Sequence, residues 1–164
     1  MITKRYTIVR SSLCDLYITA DRDRIVRIGT ERPHVSTALR NDKHPLLQRS
    51  ARALMSYLSG KTTAFEYEIP VRFLPFQREV FAAVQSIPYG QTVSSDDIAE
   101  TIGKPHAVRA VETVCRNNPL YIVVPCHRVL LHTDAVRPPT APLLPDETLR
   151  RLEKRYLDKA DKRG

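Results

Sequence analysis

The sequence predicts an α+β chain in two parts, an antiparallel sheet with one helix followed by a helical module that ends on a cysteine cluster. Three observations carry that reading. Short runs rich in Tyr, Ile, Val and Thr crowd the first thirty residues, apolar residues recur at helical spacing from residue 44 onward, and Pro70 and Pro75 bracket a joint. The parts are accordingly 1–70 and 71–164, with no low-complexity linker and no internal repeat between them.

The elements follow in order. Arg5–Arg10, Asp15–Thr19 and Arg24–Ile28 are separated by turn-length gaps and read as strands of a meander. His44 to Ser59 carries apolar residues at 47, 51, 54 and 58, a helical period closed by Gly60. Phe65 to Ile69 returns to strand alternation. Phe76, Val80, Val84 and Ile87 line one face of a helix that stops before the turn Pro88-Tyr89-Gly90. Ser94 caps the next helix, with Asp97 three residues on completing a capping box, and Gly103 ends it. Lys104-Pro105 opens a further helix over 105–116, proline being tolerated in a first turn, with Val108, Val111, Val114 and Cys115 on its apolar side. Two short helices joined through a glycine-containing turn form a helix-turn-helix pattern. Arg109 and Arg116 stand on the polar side of the second helix, with Glu112 between them. The β-branched run from Ile122 reads as a buried strand that Pro125 terminates, leaving Cys126 on a sharp turn at the strand end.

Composition sets the class. The chain has 164 residues, 42% of them apolar, enough for a globular core. It has no stretch of 18 apolar residues to span a membrane, and its opening Met-Ile-Thr-Lys-Arg-Tyr lacks the apolar run of a signal peptide. Cysteines at 14, 115 and 126 make an odd number with no Cys-x-x-Cys pair, which fits a reducing, intracellular setting: cytoplasm in a prokaryote, nucleus in a eukaryote. Cys14, His34 and His44 match no compact metal-ligand spacing, so no metal is expected. A net charge of +8 favours polyanionic partners. Residues 1–74 hold 13 Lys and Arg against 7 acids, and residues 75–164 hold 13 against 11, so charge alone does not locate a site.

The chemistry concentrates at Ile122-Val-Val-Pro-Cys-His-Arg-Val129. A thiol attacks as thiolate, and neighbouring imidazole or guanidinium lowers its pKa. Cys126, flanked by His127 and Arg128, is therefore a candidate nucleophile, against the plainer reading of an inert buried cysteine. A cysteine hydrolase built on Cys126 and His127 is a third reading; it is disfavoured because adjacent residues of an extended segment point apart.

Residues 75 to 129 resemble the catalytic domain of the O6-alkylguanine-DNA alkyltransferases, also called methylated-DNA–protein-cysteine methyltransferases. The resemblance lies in Pro75-Phe76-Gln77, Ile87 to Ser94, Ala107 to Val111, Arg116-Asn117-Asn118-Pro119 and Val124 to Val129, in the family's order and approximate spacing. Residues 1–70 resemble that family's N-terminal domain in length and strand–helix–strand order. What the resemblance implies is a ribonuclease-H-like N-terminal fold, a winged-helix-like catalytic domain, and a monomer needing no cofactor. It implies a single-use repair protein acting on double-stranded DNA that contains O6-alkylguanine, reached through the minor groove, with the damaged base swung out of the stack.

By the same resemblance Cys126 is the alkyl acceptor, Asn118 the hinge asparagine, and His127 polarises the thiol through a water. Glu153 orients the histidine, with Glu147 as the other candidate. Ser95, Val129, Thr140 and Cys115 line the base pocket; Arg109 inserts into the stack; Ala110, Arg116, Arg128, Thr92 and Ser94 contact DNA. The expected resting state of Cys126 is thiolate.

Some positions depart from the family pattern. Ser95 stands where a tyrosine is usual, so Ser95→Tyr is expected to speed transfer from duplex DNA. Glu112 and Thr113 replace small residues, and Glu112 is expected to face the phosphates. A Gly-rich pocket loop gives way to Arg137-Pro-Pro-Thr-Ala-Pro142, which puts Thr140 at the place of its small residue. These departures leave open a lesion-binding protein of the alkyltransferase-like type with weak or no transfer.

Overall fold

The computed structural model describes residues 3–34, 36–65, 72–132 and 145–164. It is α+β, and it divides into two compact units, Met1–Arg72 with Pro119–Val123, and Phe73–Asn118 with Val124–Gly164.

In the first unit, strands β1 (Lys4–Arg10), β2 (Asp15–Asp21), β3 (Arg24–Gly29) and β4 (Ala38–Arg40) form one sheet in the order β3-β2-β1-β4. The three expected strands pair antiparallel, as a meander should. Leu16, Ile18 and Ala20 alternate along β2 and are fully buried, so the two-residue period selects the core face. The short β4 joins β1 in parallel and was not expected, because three residues carry no readable period. Helix α1 (Pro45–Leu58) starts on a proline and buries Leu47, Leu54, Tyr57 and Leu58. Gly60, with φ of 72°, takes the left-handed turn that follows it. Of the expected strand Phe65–Ile69, only Phe65 lies within the described residues.

The apolar run before the cysteine is corrected by the structure. Ile28 donates its amide to the Pro119 carbonyl (2.7 Å) and accepts from the Tyr121 amide (3.0 Å), so Leu120 bridges to the β3 edge. Ile122 then turns with φ of 74°. A β-branched residue in the left-handed region cannot continue a strand. Apolar character reported burial here, not extended geometry.

The second unit contains α2 (Pro75–Gln85), β5 (Val93–Ser94), α3 (Ser95–Thr101), α4 (Val108–Arg116), a 3-10 turn (Cys126–Arg128), β6 (Val129–Leu130) and α5 (Pro145–Asp161). The Ser94 hydroxyl accepts from the Asp97 amide while the Asp97 carboxylate accepts from the Ser94 amide, the capping box expected. Helix α4 begins three residues later than expected: Ala107 donates to the Lys104 carbonyl, leaving Pro105 in the preceding turn. Val93 and Ser94 pair in parallel with Val129 and Leu130, a two-residue ladder.

Gly90 closes the turn after α2 with φ of 78°, and a Cβ there would lie 2.9 Å from Leu157 of α5. Gly90→Ala combines left-handed strain with this clash and should destabilise the protein by about 1–3 kcal/mol. Urea unfolding measures it; a change within about 0.3 kcal/mol of zero would show that the turn relaxes freely.

Candidate active site

One carboxylate organises the site. Glu153, on the inner face of α5, is 1% exposed in its side chain, and His127 beside it is wholly buried. Glu153 Oε1 lies 2.6 Å from His127 Nε2, and the Arg128 guanidinium donates to both oxygens through Nε (3.1 and 2.9 Å) and Nη2 (3.0 Å). The Gly90 amide adds a bond of 3.0 Å to Oε2. A buried carboxylate is stable only when its lone pairs are filled, and here they are. Arg128 also donates Nη1 to the Ile87 carbonyl (2.8 Å) and lies over the Tyr89 ring, 5.4 Å from its centroid. Burial and the nearby Glu153 charge push the Tyr89 hydroxyl up to about 12, so the phenol stays neutral. From the next turn of α5, Arg150 donates to the His127 carbonyl at 2.9 Å.

The structure thus places Glu153, rather than Glu147, on His127. Arg128, expected among the DNA contacts, is instead buried, with its donors turned to Glu153 and Ile87. Arg150, Tyr89 and the Gly90 amide were not anticipated. Arg150 alone carried a local signal, standing three residues before Glu153 on the same helical face.

Cys126 opens the 3-10 turn, its amide donating to the Val124 carbonyl (2.8 Å). Asn118 Nδ2 donates to the same carbonyl (2.8 Å), tying the end of α4 to the segment that carries the sulfur. Val129, directly past the turn, is also buried. The surroundings of the sulfur run against the expected resting thiolate. A hydrogen bond with the Cys115 thiol, followed by burial and the charges of Cys115 and Asp146, pushes the Cys126 thiol well above its ordinary value, opposed only by a bond with Asn118. Arg128 turns its donors to Glu153 and Ile87, while His127 meets Glu153 through Nε2 alone.

A second buried carboxylate lies between the short helices. Glu112 is 5% exposed and Ser95 fully buried, and the Ser95 hydroxyl donates to Glu112 Oε1 (3.1 Å). The same oxygen accepts from the His132 amide (2.8 Å) and lies 3.0 Å from His132 Nδ1, while Oε2 accepts from Arg116 (3.0 Å). Glu112 therefore does not face phosphates, and the Ser95 hydroxyl is directed inward rather than at a base. Burial alone would raise the Glu112 carboxyl, but the His132 amide, the Ser95 hydroxyl, Arg116 and the His132 ring outweigh it and hold it below the usual range.

The outer face of α4 presents Arg109, Ala110, Thr113 and Arg116, with Thr92 exposed ahead of α3. The Ser94 hydroxyl is engaged with Asp97 as a cap. Thr140 and the proline-rich stretch around it lie outside the described residues. Among the described residues no cluster of three or more His, Cys, Asp or Glu is arranged for a metal, and no helix is long and apolar enough to cross a membrane.

Residues 75–155 match the DNA-binding domain of 6-O-methylguanine DNA methyltransferase. The chain is 35% identical over 131 residues to the constitutive methylated-DNA–protein-cysteine methyltransferase of Bacillus subtilis, an alignment spanning 76% of this chain and 79% of that protein. It is 44% identical over 103 residues to the methylated-DNA–protein-cysteine methyltransferase of Mycolicibacterium paratuberculosis, covering 63% of this chain and 62% of that one. Among solved structures, the O6-methylguanine methyltransferase of Mycobacterium tuberculosis superposes with a TM-score of 0.79 at 27% identity, covering 93% of this chain and 94% of that one. A structure of the same organism's OGT in complex with DNA gives 0.76 at 27% identity, with the same coverage.

Two outcomes follow from the Glu112 cluster. Because Ser95 has no exposed surface, Ser95→Tyr should destabilise the fold by about 1–3 kcal/mol through overpacking, not speed any reaction; thermal unfolding checks this, and an unchanged midpoint would contradict it. Since the folded Glu112 carboxyl is held low, its stabilisation is present above the ordinary carboxylate value of 4.5 and is lost as pH falls through the folded value. The stability gap between wild type and Glu112→Gln should therefore close in acid, and a gap constant from neutral to acid pH would count against the buried ion.

Proposed function

The chain belongs to the methylated-DNA–protein-cysteine methyltransferase family, and from that premise we propose that it repairs DNA by taking an alkyl group from O6 of guanine onto Cys126. The observation that carries the reading is a buried thiol one residue ahead of the His127–Glu153 pair, in the same unit as two short helices with an arginine-bearing outer face. The chemistry is a single displacement. The Cys126 S–C bond forms as the C–O6 bond breaks, the thiol proton passes to His127 and on to solvent, and the leaving guanine anion takes one proton from solvent at N1. A thioether does not revert, so each molecule reacts once. His127 serves as base and Glu153 keeps it oriented.

In this reading α4 enters the minor groove of duplex DNA as a monomer, Arg109 fills the stack, and the alkylated guanine rotates toward Cys126. Asn118 positions the segment ahead of the sulfur, and Cys115 and Val129 lie against the pocket. The neutral resting thiol fits such a single-use acceptor: it stays inert until the bound base and His127 together draw off its proton. A lesion-binding role without transfer has less support, because the cysteine and its His–Glu pair are both present.

Intact-mass spectrometry after incubation with a duplex containing O6-methylguanine should show one added methyl group, mapped to Cys126 and absent in Cys126→Ser; a label on Cys14 or Cys115, or none, would overturn the assignment. Arg109→Ala should slow transfer from duplex by roughly tenfold or more while binding falls less, since unstacking costs a few kcal/mol. Equal losses in rate and affinity would show that Arg109 is only a phosphate contact.

A further inference from the structure

The Cys126 turn is secured on its near side by Asn118 and at His127 and Arg128 by Glu153, but downstream the β5–β6 ladder contributes only two residue pairs. A ladder that short is marginal by itself. Glu112 adds the missing tether. Its Oε1 collects the Ser95 hydroxyl of α3 together with the amide and ring of His132, six residues past Cys126. His132 Nε2 in turn lies 3.0 Å from Asp96 Oδ2, also on α3. One buried carboxylate on α4 thus joins three segments, and Arg116 supplies its countercharge.

We infer that Glu112 is a positioning residue that locks the α3–α4 helix pair to the chain leaving the Cys126 turn, so that DNA bound along α4 is held in register with the sulfur. This rests on the reading of α4 as the DNA-facing helix and of Cys126 as acceptor. A buried ion is seldom retained for stability alone, since well-packed apolar residues often serve as well, whereas it does fix one arrangement over its neighbours. Glu112 suits that role because each segment it joins is short and the β5–β6 ladder leaving the Cys126 turn has two residue pairs. Its action is on geometry, so its loss should appear in the rate at saturating DNA rather than in affinity.

The test is single-turnover transfer from an O6-methylguanine duplex, with the duplex Kd measured separately, for wild type, Glu112→Gln, His132→Ala and the double variant. Because the His132 side chain is 64% exposed, His132→Ala keeps the test open should Glu112→Gln fold poorly. Each single variant should lower the saturated rate about tenfold with the Kd shifted less than about twofold, and the double variant should lose little more than either, as for residues acting through one contact. Saturated rates equal to wild type, a loss confined to Kd, or additive losses would overturn the positioning role alone. A wild type that transfers nothing would instead overturn the acceptor assignment, and this inference with it.

Discussion

The pairing of Glu153 with His127 and Arg128 is the interaction on which the rest of the site depends. A carboxylate at 1% exposure survives only because a guanidinium, an imidazole and a backbone amide converge on it. Breaking such a cluster from one side leaves buried charge uncompensated, at a cost of about 3–5 kcal/mol. The same carboxylate decides several local features. It draws Arg128 away from solvent, it accepts from the amide of a left-handed Gly90 at close range, and it ties α5 to the turn that carries Cys126. Stability of the C-terminal unit and orientation of His127 are therefore one arrangement.

That arrangement also bears on the Cys126 thiol. With Arg128 committed to Glu153, the Cys115 thiol and burial favour the protonated form of Cys126. An acceptor that can be used once gains from staying protonated between encounters, since a permanent thiolate would be spent on any soluble electrophile. On the proposed function, reactivity is conferred when the alkylated guanine arrives, rather than stored in the resting protein.

How much of this was legible depended on the range of each interaction. The capping box of Ser94 and Asp97, the α1 period and the three meander strands are local, and the sequence shows them. The cysteine cluster marked the segment of interest, and of the two glutamates that motif order put forward it is Glu153 that meets His127. Three features were hidden because they are settled at long range. Arg128 reads as a DNA-contacting cation until Glu153, 25 residues away, is seen to bury it. Ser95 and Glu112, 17 residues apart, look like separate departures from a family pattern, yet they hydrogen-bond to each other. Ile122 reads as strand by composition, and only its left-handed φ shows a turn. Residue type set the partners that were possible; burial chose among them.

The central claim is that the Glu153 carboxylate orients His127 for proton removal from Cys126. The most direct measurement is the single-turnover transfer rate of Glu153→Gln, a nearly isosteric change, at saturating O6-methylguanine duplex with folding monitored by circular dichroism. The account predicts a folded protein whose transfer is slowed by roughly 10²-fold or more, the scale of a lost acid–base partner. A folded Glu153→Gln protein transferring within about twofold of the wild-type rate would contradict it.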